Sequence, residues 1–281
     1  MTIWLHVGTR FCEHWDMGFE NALRRRGITP RKVSATNSVN WLASVLPGDA
    51  FLGRFNQFGL AVKPVYWKIA ERFHWRVWPD ERALYYYERK DRQASLFAAL
   101  NVPHPRTAWL NTRVDLEPFL AGGITFPLVR KSPHGSKSHN VALISKPGDL
   151  DYPCLVQEYC PGNDCDYRYN CEGNRVFGSR RLVRPGDFRA SGSGLRERLA
   201  ELDPELVALT RFWAARLQLP SLAFDWIRHP DGRWVVTEIS YTYNLPGIVA
   251  DCDHYVTLEG RVEARPLDPT EYVVADFLGR L

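Results

Sequence analysis

Two carboxylates near the end of the chain carry the clearest chemical signal. Asp225 lies in the apolar run Leu222–Ile227 and Glu238 in the run Trp234–Ile239, with His229-Pro230-Asp231-Gly232 between them as a strong turn signal. The pattern predicts a hairpin of Ser221–Arg228 against Arg233–Tyr241. A two-residue Asp231-Gly232 turn sets Asp225 opposite Glu238, whereas a three-residue Pro-Asp-Gly turn moves the register by one. Carboxylates facing each other repel, and an apolar sheet makes them costly to bury. A divalent cation between them removes the conflict. Ser240, two residues past Glu238, shares its face, so Asp225, Glu238 and Ser240 form an oxygen-rich set suited to Mg²⁺, or to Mn²⁺ in its place. On the hairpin alone, a carboxylate facing solvent or paired with an arginine explains the pattern equally well.

Three further stretches could handle phosphates or a base. Lys131 closes an apolar run and is followed by Ser132-Pro133-His134-Gly135-Ser136-Lys137-Ser138, a connection able to turn backbone N–H groups toward an anion. The run is not a P-loop, and short polar hairpin loops are common. Leu155-Val156-Gln157-Glu158-Tyr159-Cys160-Pro161-Gly162 is a strand breaking into an extended exit whose free backbone groups suit a flat base or an ordinary sheet edge. Arginine is dense at 175, 180, 181, 184, 189, 196 and 198, either as a solvated basic face or as an anion-holding surface.

The elements that must position these residues read as α/β. Residues 1–84 predict a small unit with strands at Ile3–Val7, Arg31–Ser34 and Ala50–Gly53 and a helix around Phe19–Arg26, the alternation of a parallel sheet. Residues 88–100 predict a helix that stops before Pro103 and Pro105. Strands follow at Phe126–Lys131, Asn140–Ile144 and Cys154–Tyr159, then a hairpin of Tyr167–Glu172 with Arg175–Val183 about Gly173-Asn174, and a helix over Pro204–Leu217.

The chain has 281 residues, 45% hydrophobic and 24% charged, with a net charge of +4. That is an ordinary folded composition without the basic excess of a nucleic-acid binder. No stretch approaches the roughly 20 apolar residues of a membrane span, and the N-terminus has no signal-peptide layout, so the expectation is a cytoplasmic protein without nucleic-acid or membrane partners. The six cysteines include no C-x-x-C pair and read as reduced structural thiols, not a zinc site.

In order and spacing, the motifs over roughly 85–245 resemble the ATP-grasp superfamily, in particular ligases that add glutamate to a ribosomal protein. Lys90 precedes Pro105 by fifteen residues, within Asn101-Val102-Pro103-His104-Pro105-Arg106-Thr107. Pro127-Leu128-Val129-Arg130-Lys131, Val156-Gln157-Glu158-Tyr159 and Asp166-Tyr167-Arg168 match the family's next phrases, and Arg181, Phe188 and Arg189 the one after. Asp225 to Arg228 and Glu238-Ile239-Ser240 match its metal phrases, with Ser240 where the family has Asn and with one glycine, Gly135, in the loop after Lys131. A looser similarity links Glu238–Tyr241 and the tail past 250 to ATP-grasp proteins of bacterial surface-polysaccharide pathways.

The resemblance implies an N-terminal α/β domain at 1–84 and an ATP-grasp domain at 85–281, with a lid at about 106–157 and antiparallel sheets clamping the nucleotide. It implies that Lys90, Lys131, Gly135 and Ser136 hold ATP phosphates, that Gln157, Glu158, Tyr159 and Cys160 frame the adenine, and that Asp166 holds the ribose. Arg168, Arg181 and Arg189 would neutralise the transferring phosphate, and Asp225, Glu238 and Ser240 (or Asn244) would carry Mg²⁺. The implied activity is ATP-dependent carboxylate–amine ligation through an acyl phosphate, the acceptor a sugar acid or amino acid and the partners small-molecule carboxylates and amines. A homo-oligomer is compatible with it. A kinase acting on a hydroxyl and a degenerate nucleotide-binding module are the alternatives.

Overall fold

The structure, a computed structural model, describes residues 1–8, 13–34, 39–55, 63–133, 140–219 and 221–281. Gly135, Ser136, His134 and His139 lie outside them.

From the N-terminus, β1 (Ile3–His6), α1 (Glu13–Arg25), β2 (Arg31–Val33), β3 (Ala50–Leu52), α2 (Lys63–Arg72), β4 (Val77–Trp78) and α3 (Glu81–Tyr86) form a parallel sheet, in order β2-β1-β3-β4, with its helices. β1 and β3 are buried along their whole length, as expected of parallel strands covered on both faces. Next comes α4 (Lys90–Leu100). A second, antiparallel sheet follows, with order β5-β8-β6-β7 from β5 (Thr107–Leu110), β6 (Leu128–Lys131), β7 (Ala142–Ile144) and β8 (Cys154–Glu158); α5 (Leu116–Leu120) lies between β5 and β6 in sequence.

The remainder builds a seven-stranded antiparallel sheet. Its strands are β9 (Cys165–Glu172), β10 (Arg175–Leu182), β11 (Arg196–Arg198), β12 (Ser221–Arg228), β13 (Trp234–Ser240), β14 (His254–Val256) and β15 (Arg261–Glu263), in the path β13-β12-β9-β10-β14-β15 with β11 on β10. Helices α6 (Pro204–Leu217), α7 (Leu245–Asp251) and α8 (Pro269–Gly279) complete it. Buried apolar side chains form two clusters. One runs from the parallel sheet through the large sheet, and the other lies under the four-stranded antiparallel sheet, from Leu110 to Val156. The class is α/β, with antiparallel sheets after residue 100.

Local chemistry sets these elements. Asp203 caps α6 by accepting from the backbone N–H of Glu205 at 2.8 Å, with Pro204 in the first turn, and Gln218 ends the helix in the left-handed region. At the β9–β10 turn Gly173 has φ of +59°, a conformation most side chains resist. The five cysteines among the described residues are buried and unpaired. No helix of the described residues is long and apolar enough to cross a membrane.

The β12–β13 hairpin reaches its register by two compensating shifts. His229 donates its N–H to the Arg233 carbonyl around a three-residue Pro230-Asp231-Gly232 turn, so that Trp226 pairs with Val236. A bulge at Thr237 then moves the strands back by one residue, and Asp225 faces Glu238. Of the two turns the sequence left open the three-residue one forms, and the opposition of the carboxylates is restored by the bulge. The free edge of β13 is closed by Gln93, which donates to the Ile239 carbonyl and accepts from its N–H, both at 2.9 Å. Gln93 lies one turn after Lys90 on α4, on the same face, so this clasp brings the Lys90 ammonium to β13.

Glu172 stands fully buried in the large sheet, accepting from the hydroxyls of Ser221 (2.9 Å) and Tyr243 (3.0 Å). Burial pushes its carboxyl up from 4.5 to about 8, against the pull of both hydroxyls. The folded protein therefore binds this proton more tightly than the unfolded chain does. Its stabilising contribution is complete below about pH 4.5 and is lost as pH rises through about 8. Glu172→Gln keeps an acceptor for both hydroxyls and removes the ionisation. Thermal melts should show the variant losing less stability than wild type between about pH 5 and 9, by a few kcal/mol at most. Superimposable profiles would refute the assignment.

Candidate active site

A cleft between the four-stranded antiparallel sheet and the large sheet is lined by Lys90, Lys131, Gln157, Glu158, Tyr159, Cys160, Asp166, Arg189, Asp225 and Glu238. These ten residues come from widely separated parts of the chain. Lys131 ends β6 and Lys90 begins α4, whose first N–H is received by the Pro133 carbonyl at 3.0 Å. The Lys90 ammonium lies 3.4 Å from Glu238. Lys131 is surrounded closely enough that burial, with help from the Lys90 charge, lowers its ammonium to about 8, against the attraction of Glu238 and Asp225. A lysine held this way regains its charge preference when anionic oxygens arrive.

The strand β8 supplies the opposite wall. Gln157 is buried and donates to the Thr107 hydroxyl at 2.8 Å, fixing its amide. The Glu158 carboxylate meets His229 at 3.1 Å and the Arg106 N–H at 3.2 Å. Asn163 accepts from the Arg228 N–H and donates to the carbonyls of Cys160 and Arg228. Burial, then the neighbouring Glu158 charge, pushes the Cys160 thiol up to about 12, so it stays neutral. Tyr159 meets Phe188 edge to face at 6.1 Å, while Val129, Val141, Val183 and Ile227 add apolar surface.

The arginines divide. Arg168 grips Asp225 with both arms, at 2.7 and 2.9 Å, and Arg181 grips Asp166 at 2.6 Å through each arm while also reaching Asp225 at 2.7 Å. The arrangement follows from strand order: β9 lies between β10 and β12, so Arg168 pairs in register with Asp225, and Arg181 with Asp166. Burial opposes ionisation of Asp225, but the two guanidiniums outweigh it and hold its carboxyl far below the usual range. Neither Arg168 nor Arg181 lines the cleft; Arg189 does, steadied by Asp187 at 2.9 Å. Elsewhere in the arginine-rich stretch Arg180 pairs with Glu197, Arg196 with Asp251 and Arg198 with Asp253. These pairs lie at the surface, so this part of the stretch is a solvated face on which the arginines are paired with carboxylates.

Ser240 stands away from the cleft lining, and its hydroxyl donates to the Thr242 carbonyl at 2.6 Å. Asn244 caps α7, accepting from the Gly247 N–H at 3.4 Å. Tyr241 and Tyr243 are buried packing residues, their hydroxyls joined to the Phe55 backbone and to Glu172. Sequence reasoning missed His229, which clasps Glu158, and Thr237, which the bulge turns into the cleft. No sequence signal marks the bulge. His229 could have been found from its place in the turn.

Among the described residues no group of three His, Cys, Asp or Glu could hold a metal ion. Two carboxylates nevertheless suffice for Mg²⁺ when phosphates and water fill its other positions. Glu238 and Asp225 fit that pattern, Glu238 paired with Lys90 at 3.4 Å and Asp225 held by Arg168 and Arg181.

No family model matches the chain, and no curated protein matches it by sequence. Solved structures match along its whole length. The ATP-grasp ligase PsnB, complexed with a phosphomimetic variant of its minimal precursor, Mg and ADP, is 15% identical with a TM-score of 0.68, covering 100% of this chain and 98% of that one. The macrocyclase MdnC of Microcystis aeruginosa MRC, bound with precursor peptide MdnA, is 14% identical (TM-score 0.68; 99% and 100% covered). The D-cycloserine synthetase DcsG is 16% identical (TM-score 0.67; 100% and 99% covered). The chain has the ATP-grasp fold.

Proposed function

We propose that the protein is an ATP-dependent carboxylate–amine ligase working through an acyl phosphate. The convergence of Lys90, Lys131, Asp225 and Glu238 on one cleft carries this reading, since these two cations and two carboxylates come from three separated segments, α4, β6 and the β12–β13 hairpin. Phosphoryl transfer requires that equipment, positioned charge instead of a covalent nucleophile. Ligases of the same fold, with Mg and ADP bound in one of them, supply the support of analogy.

In this reading Lys90 and Lys131 hold the phosphates, with Gly135 and Ser136 in the connection after Lys131. Gln157, Glu158, Tyr159 and Cys160 frame the adenine, and Asp166 the ribose. Asp225 and Glu238 would hold Mg²⁺, which neutralises phosphate charge when bound. Ser240 is left out of the set, because it does not line the cleft. A substrate carboxylate oxygen attacks the γ-phosphorus and the bond to ADP breaks. An amine nitrogen then attacks the acyl carbon, inorganic phosphate leaves, and the nitrogen gives its proton to solvent. Arg189 lines the cleft where negative charge develops. Arg168 and Arg181 serve as counter-ions to Asp225 and Asp166, and would be available to phosphate if Asp225 held a metal ion instead. The enclosed space is about 130 Å³, below the roughly 300–1,000 Å³ of ligand pockets, so the walls part to admit nucleotide. A lid at about 106–157, which the separate apolar cluster from Leu110 to Val156 supports, and a limit at 84, which the larger cluster crosses, belong to the same proposal.

Lys131→Ala tests the phosphate assignment. ADP formation should fall by about 10²–10³-fold, the loss typical of one charge-stabilising donor, with the circular dichroism spectrum unchanged. Wild-type turnover in this variant would overturn it.

A further inference from the structure

One arginine of the dense stretch, Arg184, directs its guanidinium at carbonyls of its own loop. That loop, residues 183–195, joins β10 to β11, and Leu182 donates its N–H to the Leu195 carbonyl at 3.0 Å across its base. Val183, Phe188, Arg189, Ala190 and Ser191 of the loop line the nucleotide cleft. Two turns shape it, Arg184-Pro185-Gly186-Asp187 and Ala190-Ser191-Gly192-Ser193. Each is closed by a bond from its fourth N–H to its first carbonyl, at 3.0 and 3.2 Å. Each has at its third place a glycine with the positive φ that a type II turn needs.

Arg184 ties the two turns together. Its Nε–H donates to the Ser193 carbonyl at 2.8 Å, and Nη2 donates to that carbonyl and, at 3.3 Å, to the carbonyl of Gly192. The start of the first turn is thus fastened to the end of the second, nine residues on. A planar guanidinium spans two neighbouring carbonyls in a way that a lysine ammonium does not. Within the first turn, Asp187 accepts from the N–H groups of Phe188 and Arg189 at 2.7 and 3.1 Å and holds the Arg189 guanidinium. At its far side the loop touches the opposite wall: the Phe188 ring meets Tyr159 edge to face, and Arg189 reaches the Val141 carbonyl at 3.4 Å. One ring edge and one long hydrogen bond are weak restraints. The placement of Arg189 therefore depends on the fastening at the base of the loop.

We infer that Arg184, which does not itself line the cleft, is a positioning residue for phosphoryl transfer: by clasping Ser193 and Gly192 it holds Arg189 where negative charge develops. The role of Arg189 rests on the ligase reading, whereas the clasp does not.

Steady-state ADP release from Mg·ATP is measured with pooled sugar acids, amino acids and peptides, and amide hydrogen exchange of the full chain is followed by NMR. Arg184→Gln should lower kcat at least about tenfold, since a small misplacement far from the chemistry costs up to roughly 100-fold. KM for ATP should change less than about threefold. Arg184→Lys, which still reaches the Ser193 carbonyl, should fall between wild type and Arg184→Gln. Added to Arg189→Ala, Arg184→Gln should cost less than about twofold more, because both changes act through one guanidinium. In Arg184→Gln the amides of Phe188, Ser193 and Leu195 should exchange at least about tenfold faster, while the β9–β10 ladder keeps its rates. Losses that multiply in the double variant, a wild-type kcat, or unchanged exchange in the loop each overturn the inference. A wild-type protein that releases no ADP strikes the ligase reading alone, and the exchange rates then decide whether Arg184 holds the loop.

Discussion

Glu238→Gln is expected to lower Mg²⁺-dependent ADP formation by at least about 100-fold, a loss no smaller than that seen when groups supporting a metal ligand are removed. The fold should lose much less. Glu238 has its side chain 22% exposed and meets the 9% exposed Lys90 at a long 3.4 Å, so neutralising it costs less than the roughly 3–5 kcal/mol of breaking a tight buried pair. The amide keeps the shape and removes the charge that a divalent cation needs. Steady-state ADP release over a Mg²⁺ series, beside a thermal melt, checks both halves. A variant that keeps its turnover, or one that loses turnover only because it unfolds, would remove Glu238 from the site.

The opposite balance is expected at Asp225. Asp225→Ala strips both Arg168 and Arg181 of a shared counter-ion, and their side chains are only 17% and 11% exposed. Breaking a buried pair by removing one partner costs about 3–5 kcal/mol, although Arg181 keeps Asp166 and so lies toward the lower end. Urea denaturation should show this loss in the ligand-free protein, with Asp225→Asn falling between the two. Unchanged stability would mean that the arginine network does not form without nucleotide. The contrast between the two carboxylates is informative, because they face each other across one hairpin and differ only in what lies behind them.

Much of this site was legible because it is local. Lys131 at a strand end, the Gln157–Cys160 exit and the two hairpin carboxylates each sit in a short stretch whose pattern fixes the backbone. The face-to-face placement of Asp225 and Glu238 was one of two registers the sequence left open; the three-residue turn forms, and the bulge at Thr237 restores the pairing. The fate of Arg168 and Arg181 was not legible, since it depends on β9 lying between β10 and β12. No spacing along the chain states that order. Ser240 lies at the end of its strand and outside the cleft lining, its hydroxyl donating to the Thr242 carbonyl, a placement that depends on where the strand stops. Among the helices, α8 was overlooked although Asp268 caps it by accepting from the Glu271 N–H at 3.1 Å with Pro269 in the first turn, a signal present in the sequence. The strands β14 and β15 have three residues each, too few for periodicity to show.

Mass spectrometry of products tests the ligase assignment most directly. The protein is incubated with ATP, Mg²⁺ and pooled sugar acids, amino acids and peptides, and products are weighed beside the ADP and phosphate released. The account predicts a species whose mass is that of one carboxylate plus one amine less water, formed with one ADP and one phosphate. A product that gains a phosphoryl group with no amine present, or ATP binding without any ADP across the pool, would contradict it.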